Sequence, residues 1–142
     1  MKKVIIGIFL VVLAIVIAFG TWYHEKAQEL KRIQKFNREF EEFLDTEISG
    51  VYLTTVMNKA IDYNTQNEIA KNANGTYQEN DQNSIEIIIK PMLEGNAYPM
   101  EAFEKVGMKE FTKSFGEKVF KSSKVEYHQN GRISKIVFEV QN

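Results

Sequence analysis

VIIGIFLVVLAIVIAFGTWY, residues 4–23, runs for twenty positions without a charge, with Lys2-Lys3 before it and His24-Glu25-Lys26 after it. Coiled as a helix at about 1.5 Å per residue, it reaches about 30 Å, the hydrocarbon thickness of a bilayer. Thirteen of the seventeen residues from Val4 to Gly20 are Val, Ile, Leu or Phe. Together they favour insertion by roughly 4 to 8 kcal/mol. A helix buried in a soluble core would carry a polar stripe, and this one has none. Trp22 and Tyr23 fall where an aromatic belt meets the lipid–water boundary.

Retention as an anchor is the favoured reading; cleavage as a signal peptide is the alternative. Ala18-Phe19-Gly20 places small residues at the two positions a signal peptidase reads, which allows a cut before Thr21. The apolar run is nevertheless at or beyond the long end for a secretory h-region, and no polar break precedes Trp22. The chain has no cysteine, so a lipid-modified cysteine is excluded. Prepilin processing after Gly7 would leave a glutamate five residues on, where Val12 stands.

Orientation is contested by the flanks. Lys2 and Lys3 favour an inside N-terminus, while Lys26, Lys31, Arg32, Lys35 and Arg38 on the other side pull the opposite way. Long following domains translocate largely regardless of such charges. The organisation expected is a cytoplasmic N-terminus at 1–3, a single-pass signal-anchor at 4–23 and an extracytoplasmic α+β domain at 24–142.

Past Tyr23 the chain holds 16 Lys and Arg against 19 Asp and Glu, a formal charge of −3. That is enough chain for a domain with its own core. It is too balanced in charge for a nucleic-acid groove, so no nucleic-acid partner is expected. Without cysteines there is no disulfide framework and no thiolate site.

From His24 to Ser49 the apolar residues Ala27, Leu30, Ile33, Phe36, Phe40, Phe43 and Leu44 recur every three or four positions, one face of an amphipathic helix. With no Pro between Lys3 and Ser49 and no Gly between Gly20 and Gly50, one helix of more than forty residues is expected, ended by Ser49-Gly50. The stripe Leu30, Ile33, Phe36, Phe40 and Phe43 has two readings. It packs on the domain's own core, or it is a partner-contact face for another protein or for self-association through the 24–44 helix. A second helix follows from Val51, with Leu53, Val56, Met57, Ala60 and Ile61 inward.

Residues 65–84, TQNEIAKNANGTYQENDQNS, read as a surface connection with a turn at Asn74-Gly75 and a short strand near Tyr77. IEIIIK (85–90) alternates as a strand stopped by Pro91. Pro99 suits the first position of a helix with Phe103 and Val106 inward and Gly107 at its end, and a further short helix carries Phe111 and Phe115 on one face. Asn130-Gly131 marks a hairpin. Centring both residues pairs Gln129 with Arg132, Tyr127 with Ser134, Glu126 with Lys135 and Val125 with Ile136. An antiparallel sheet of three to four strands is expected.

Candidates for chemistry are sparse. His128 shares a strand face with Glu126, a conceivable base–carboxylate pair, although an exposed histidine beside a turn explains it as well. Glu41, Glu42, Asp45 and Glu47 crowd a helix end and read as a solvated face. Asn72-x-Asn74-Gly75 and ENDQN (79–83) lack the carboxylates of a calcium loop. Asn74-Gly75-Thr76 is a glycosylation sequon, meaningful only in a eukaryotic secretory pathway. No triad, phosphate loop or metal set is found, so no cofactor, no metal and no catalysis are expected.

ISGVYLTTVMNKAIDYN, NGTYQENDQNSIEI, YPMEAFEKVG and KVEYHQNGRISKIVFE together resemble uncharacterised small single-span membrane proteins of Gram-positive spore-forming bacteria. The resemblance spans most of residues 48–139 and implies habitat, without an activity. The order of apolar helix, amphipathic helix and small sheet is also similar in outline to pilin-like subunits. The function expected is therefore non-enzymatic, a binding or assembly role at the bacterial cell envelope. The alternatives are an accessory or sensor subunit of a membrane complex and, more distantly, an unrecognised hydrolase.

Overall fold

Adding a Cβ at Gly50 would bring it 1.9 Å from the Phe115 carbonyl oxygen. Two backbones therefore meet where the sequence has its Ser49-Gly50 pair. Ser49 caps the helix that follows, its hydroxyl accepting from the Tyr52 N–H at 3.3 Å, while Gly50 N–H donates to Lys118 O at 2.8 Å.

The computed structural model describes residues 2–141, with side chains from residue 5 onward, so the cytoplasmic stretch expected at 1–3 lies outside the residues described in full. The chain divides between Lys35 and Phe36 into two units. The described residues of the first unit are all helical: α1 spans Lys2–Glu41 and carries the apolar run. It is long and apolar enough to cross a membrane, and no residue of that apolar stretch is buried.

The second unit takes the last turns of α1 and adds β1 (Glu47–Ser49), α2 (Gly50–Gln66), β2 (Glu86–Lys90), β3 (Tyr98–Pro99), α3 (Met100–Val106), α4 (Met108–Phe115), β4 (Val119–Tyr127) and β5 (Ile133–Val140). The helix expected to reach Ser49 stops at Glu41. Asp45 turns into the left-handed region at φ 58°, which Asp tolerates better than most residues, and frees Glu47–Ser49 to pair with β4.

Among the described residues five strands form one α+β sheet in the order β1-β4-β5-β2-β3. It is mixed, which corrects the expected antiparallel sheet of three to four strands. β2 and β5 run parallel, in register from Glu86↔Lys135 to Lys90↔Glu139. The connection from β2 to β5 holds β3, two helices and β4, long enough for the return that a parallel pair requires. Both ends of that pair carry opposite charges. Lys135 meets Glu86 at 2.8 Å, and Lys90 meets Glu139. A slip of one residue would turn Ile87 and Ile89 outward and break both pairs.

The core gathers Phe40, Leu53, Met57, Ile87, Phe120 and Phe138, each completely buried. Each contributes about 1.5–3 kcal/mol of transfer free energy. Val106, expected inward, is exposed, and Met100 takes the buried place on α3 instead.

The hairpin differs from the centred turn. Gly131 alone has positive φ, at 85°, and Gly131 N–H donates to His128 O at 2.9 Å while His128 N–H donates to Arg132 O at 2.8 Å. This is a type I turn followed by a left-handed glycine. Val125↔Ile136 and Glu126↔Lys135 keep the expected register, but Tyr127 pairs with Ile133, leaving Ser134 as a bulge. Tyr127 is exposed in consequence.

Candidate functional site: an acidic cavity at the β2–β5 junction

The asparagine-rich connection is built from backbone turns closed by side chains. Asn72 Oδ1 accepts from the Asn74 and Thr76 N–H groups at 2.9 and 3.1 Å, shaping a turn completed by Gly75 at φ 81°. Lys71 and Tyr77 then bridge as a single antiparallel pair, the residue of structure behind the strand expected near Tyr77. Asn80 Oδ1 accepts from the N–H groups of Gln82, Asn83 and Ser84 at 3.2, 2.9 and 2.9 Å. Asn64, completely buried on α2, receives Ile85 N–H at 2.9 Å and donates to Ile85 O at 2.7 Å. It thereby completes the backbone of Ile85 as a neighbouring strand would.

Hairpin and connection hold one another. His128 is buried rather than exposed, and its Nε2 lies 2.7 Å from Ser84 O. A carbonyl can only accept, so Nε2 carries the hydrogen. Glu126 pairs with Lys124 at 2.6 Å, not with His128. Asn130 Nδ2 donates to Gln82 O at 2.9 Å.

These contacts leave a cavity of about 240 Å³ where β2 and β5 begin, lined by Tyr77, Gln78, Glu79, Ser84, Ile85, Glu86, Glu101, Ser134 and Lys135. Glu101, in the first turn of α3, is 2% exposed. Its Oε1 accepts from the Tyr77 N–H at 2.9 Å; among the described residues its Oε2 has no hydrogen-bond partner. The bulge in β5 sets Ser134 in the wall beside Ile133, two successive residues both buried.

Three carboxylates and one ammonium therefore line the cavity. The hydrogen bond to Glu86 raises the Lys135 pKa, desolvation opposes the rise, and the charges of Glu86, Glu126 and Glu79 add to it. Lys135 thus stays charged and engaged by Glu86. Beside Tyr77, Lys71 sits 4.3 Å from the ring centroid and 3.0 Å from Glu104. Desolvation pulls its pKa down, but Glu104 and Tyr77 outweigh it and the net shift is upward.

The stripe on the first helix is divided. Phe36, Phe40 and Phe43 belong to the core of the second unit, Ile33 is buried, and Leu30 is 57% exposed. The carboxylates Glu41, Glu42, Asp45 and Glu47 are all exposed. Among the described residues no group of three or more His, Cys, Asp or Glu side chains is placed to hold a metal ion.

Comparison with protein-family models, with curated proteins and with solved structures gives no match for this chain.

Glu101 and Ser134 escape a reading by periodicity. Met100-Glu101-Ala102-Phe103 shows a helix whose apolar face is easily assigned to Phe103, and the charge beside it reads as solvated. Its burial goes with the hydrogen bond from the Tyr77 N–H, a tertiary contact that periodicity does not reveal.

Proposed function

We propose that this chain is a membrane-anchored protein of the bacterial cell envelope, whose domain from Phe36 onward lies outside the cytoplasm in a binding or assembly role. One observation carries the reading: every described side chain of α1 from Ile5 to Tyr23 is exposed, and nearly all are apolar. A helix apolar on all sides needs an apolar medium, and a bilayer supplies it. Export of the domain is supported by Lys2-Lys3 ahead of the span and by the length of chain behind it. The likeness to single-span proteins of Gram-positive spore-forming bacteria supports the envelope as its place.

Contact with a protein partner is proposed for the segment between the span and the domain. Phe36, Phe40 and Phe43 are committed to the core, which leaves Leu30 as the exposed apolar member of the stripe. A photocrosslinker at Leu30 in intact cells tests this. A ladder of multiples of the chain supports assembly, a single product with another protein supports an accessory subunit, and no product removes the partner reading. Orientation is tested separately by protease added to protoplasts. Digestion of the domain is expected, and full protection would overturn the orientation.

A further inference from the structure

We propose that the cavity at the β2–β5 junction binds a small primary ammonium group, with Glu101 receiving its N–H donors. The proposal rests on the binding reading above and names the ligand class for this site.

Charge selects the ligand's sign. Glu79, Glu86 and Glu101 line the cavity against Lys135 alone, and Lys135 is already held by Glu86 at 2.8 Å. An anion would meet two uncompensated carboxylates, whereas a cation would neutralise one of them.

Glu101 selects a donor. One oxygen has a structural task, accepting the Tyr77 N–H and tying the loop to α3. The other is buried without a partner among the described residues. A carboxylate oxygen can only accept when ionised, and leaving it unpaired in the interior is costly. A glutamine would tie the loop as well as a glutamate. A cationic partner gives the carboxylate a use that a glutamine would not have.

The site's ligand number selects an organic cation. A divalent metal wants several oxygen ligands converging on one point, and the described residues offer no cluster of three such side chains. An ammonium needs only one carboxylate and neutral acceptors, which the Ser134 hydroxyl at the bulge can supply. A volume of about 240 Å³ suits a diamine or the end of a lysine side chain.

The test is titration of the full-length, 15N-labelled chain in nanodiscs, followed by amide chemical shifts. With 1,5-diaminopentane, saturable shifts are expected at Tyr77, Glu101 and Ser134. An N-acetylated Gly-Lys-Gly peptide, whose only amine is the lysine side chain, distinguishes the source. Equal shifts mark a site for lysine side chains, and their absence marks a site for free amines. Glu101→Gln should weaken binding at least tenfold while preserving the Tyr77 amide position, and Glu79→Gln should weaken it several-fold without touching the core. Choline, which has no N–H, should not compete. The proposal is overturned by no saturable shift with either amine, by choline binding as well as diaminopentane, by unchanged binding in Glu101→Gln, or by calcium moving the same amides. Each of those results leaves the protoplast and crosslinking outcomes untouched, so the ligand and the anchored role fail separately.

Discussion

The Arg132 guanidinium carbon lies 4.1 Å from the centroid of the Phe36 ring, and the Tyr63 ring meets the same guanidinium at 4.6 Å. The two rings themselves stand 4.3 Å apart. One cation thus joins the end of α1, the last turn of α2 and the tip of the β4–β5 hairpin. Burial pushes the Arg132 pKa down, though a guanidinium stays charged, and its Nε has no partner among the described residues. The rings therefore stand in for the missing hydrogen-bond acceptor.

Arg132→Ala should lower stability by about 2 kcal/mol, the scale of a partly desolvated cation–π contact plus lost packing of the side-chain stem. Arg132→Lys should recover only part of this, because a compact ammonium lacks the planar face that a guanidinium offers to both rings. Urea unfolding in a mild detergent measures both. Equal stability of all three chains would show that the stacking contributes nothing.

Asn64 carries a larger effect. Its side chain satisfies both backbone groups of Ile85 inside the core. Asn64→Ala strands a buried N–H and a buried carbonyl, each costing about 1–3 kcal/mol. Asn64→Asp should be at least as damaging, since it points an oxygen at the Ile85 carbonyl. Hydrogen exchange at Ile85 is the direct readout, and exchange as slow as in the parent chain would contradict the account.

These two residues show what a sequence can reveal of such a fold. The elements themselves were readable, because periodicity marks α2, β2 and α4, and Asn130-Gly131 marks the hairpin. The partners of β2 were not, since an alternating strand has the same pattern whether its neighbour runs with it or against it. The missed β1 is three residues long, too short for a period of two to register. The 65–84 segment is the surface connection that its composition indicates, but which of its asparagines close backbone turns is hidden, because such an asparagine is indistinguishable by composition from a solvated one. Glu101 was hidden by the same rule that makes charged residues safe to call exposed.

Glycine positions separate sterics from conformation. Gly50→Ala would place a methyl 1.9 Å from Phe115 O, a contact that only backbone movement relieves. It should cost more than about 3 kcal/mol, the upper end for overpacking. Gly131→Ala meets no atom within 4 Å and pays only for φ of 85°, about 1–2 kcal/mol. Thermal melts of the two variants should rank in that order, and the reverse order would mean the α2–α4 approach is not rigid.

Stability should be lost at both ends of the pH scale. The hydrogen bond from Lys90 holds Glu139 below the ordinary carboxylate range. Its contribution is present above the unfolded value near 4.5 and disappears as pH falls through the lower folded value. Lys135 is raised above 10.5, so its contribution is complete below that value and is lost as pH rises through the higher folded one. Both side chains are about one-third exposed, which keeps the effects small. Glu139→Gln should flatten the acid limb of the unfolding midpoint and leave the alkaline limb unchanged. A mutant that loses both limbs would place the linkage elsewhere.

Charge placed in the middle of the span tests the anchor most sharply. Thirteen large apolar residues favour insertion of the stretch from Val4 to Gly20, by roughly 4 to 8 kcal/mol in sum. One lysine at its centre costs about 2.5–3.5 kcal/mol and also removes the favourable term of the residue replaced. Val12→Lys alone should therefore leave most of the chain in the membrane, resistant to carbonate extraction. Val11→Lys with Val12→Lys costs about twice as much and should abolish stable insertion. The mature N-terminus, read by mass spectrometry in the parent chain, separates the two fates of this helix. An N-terminus at Thr21 would identify a cleaved signal, whereas retention of residues 4–23 together with loss of the double variant from the membrane fraction is the result an anchor requires.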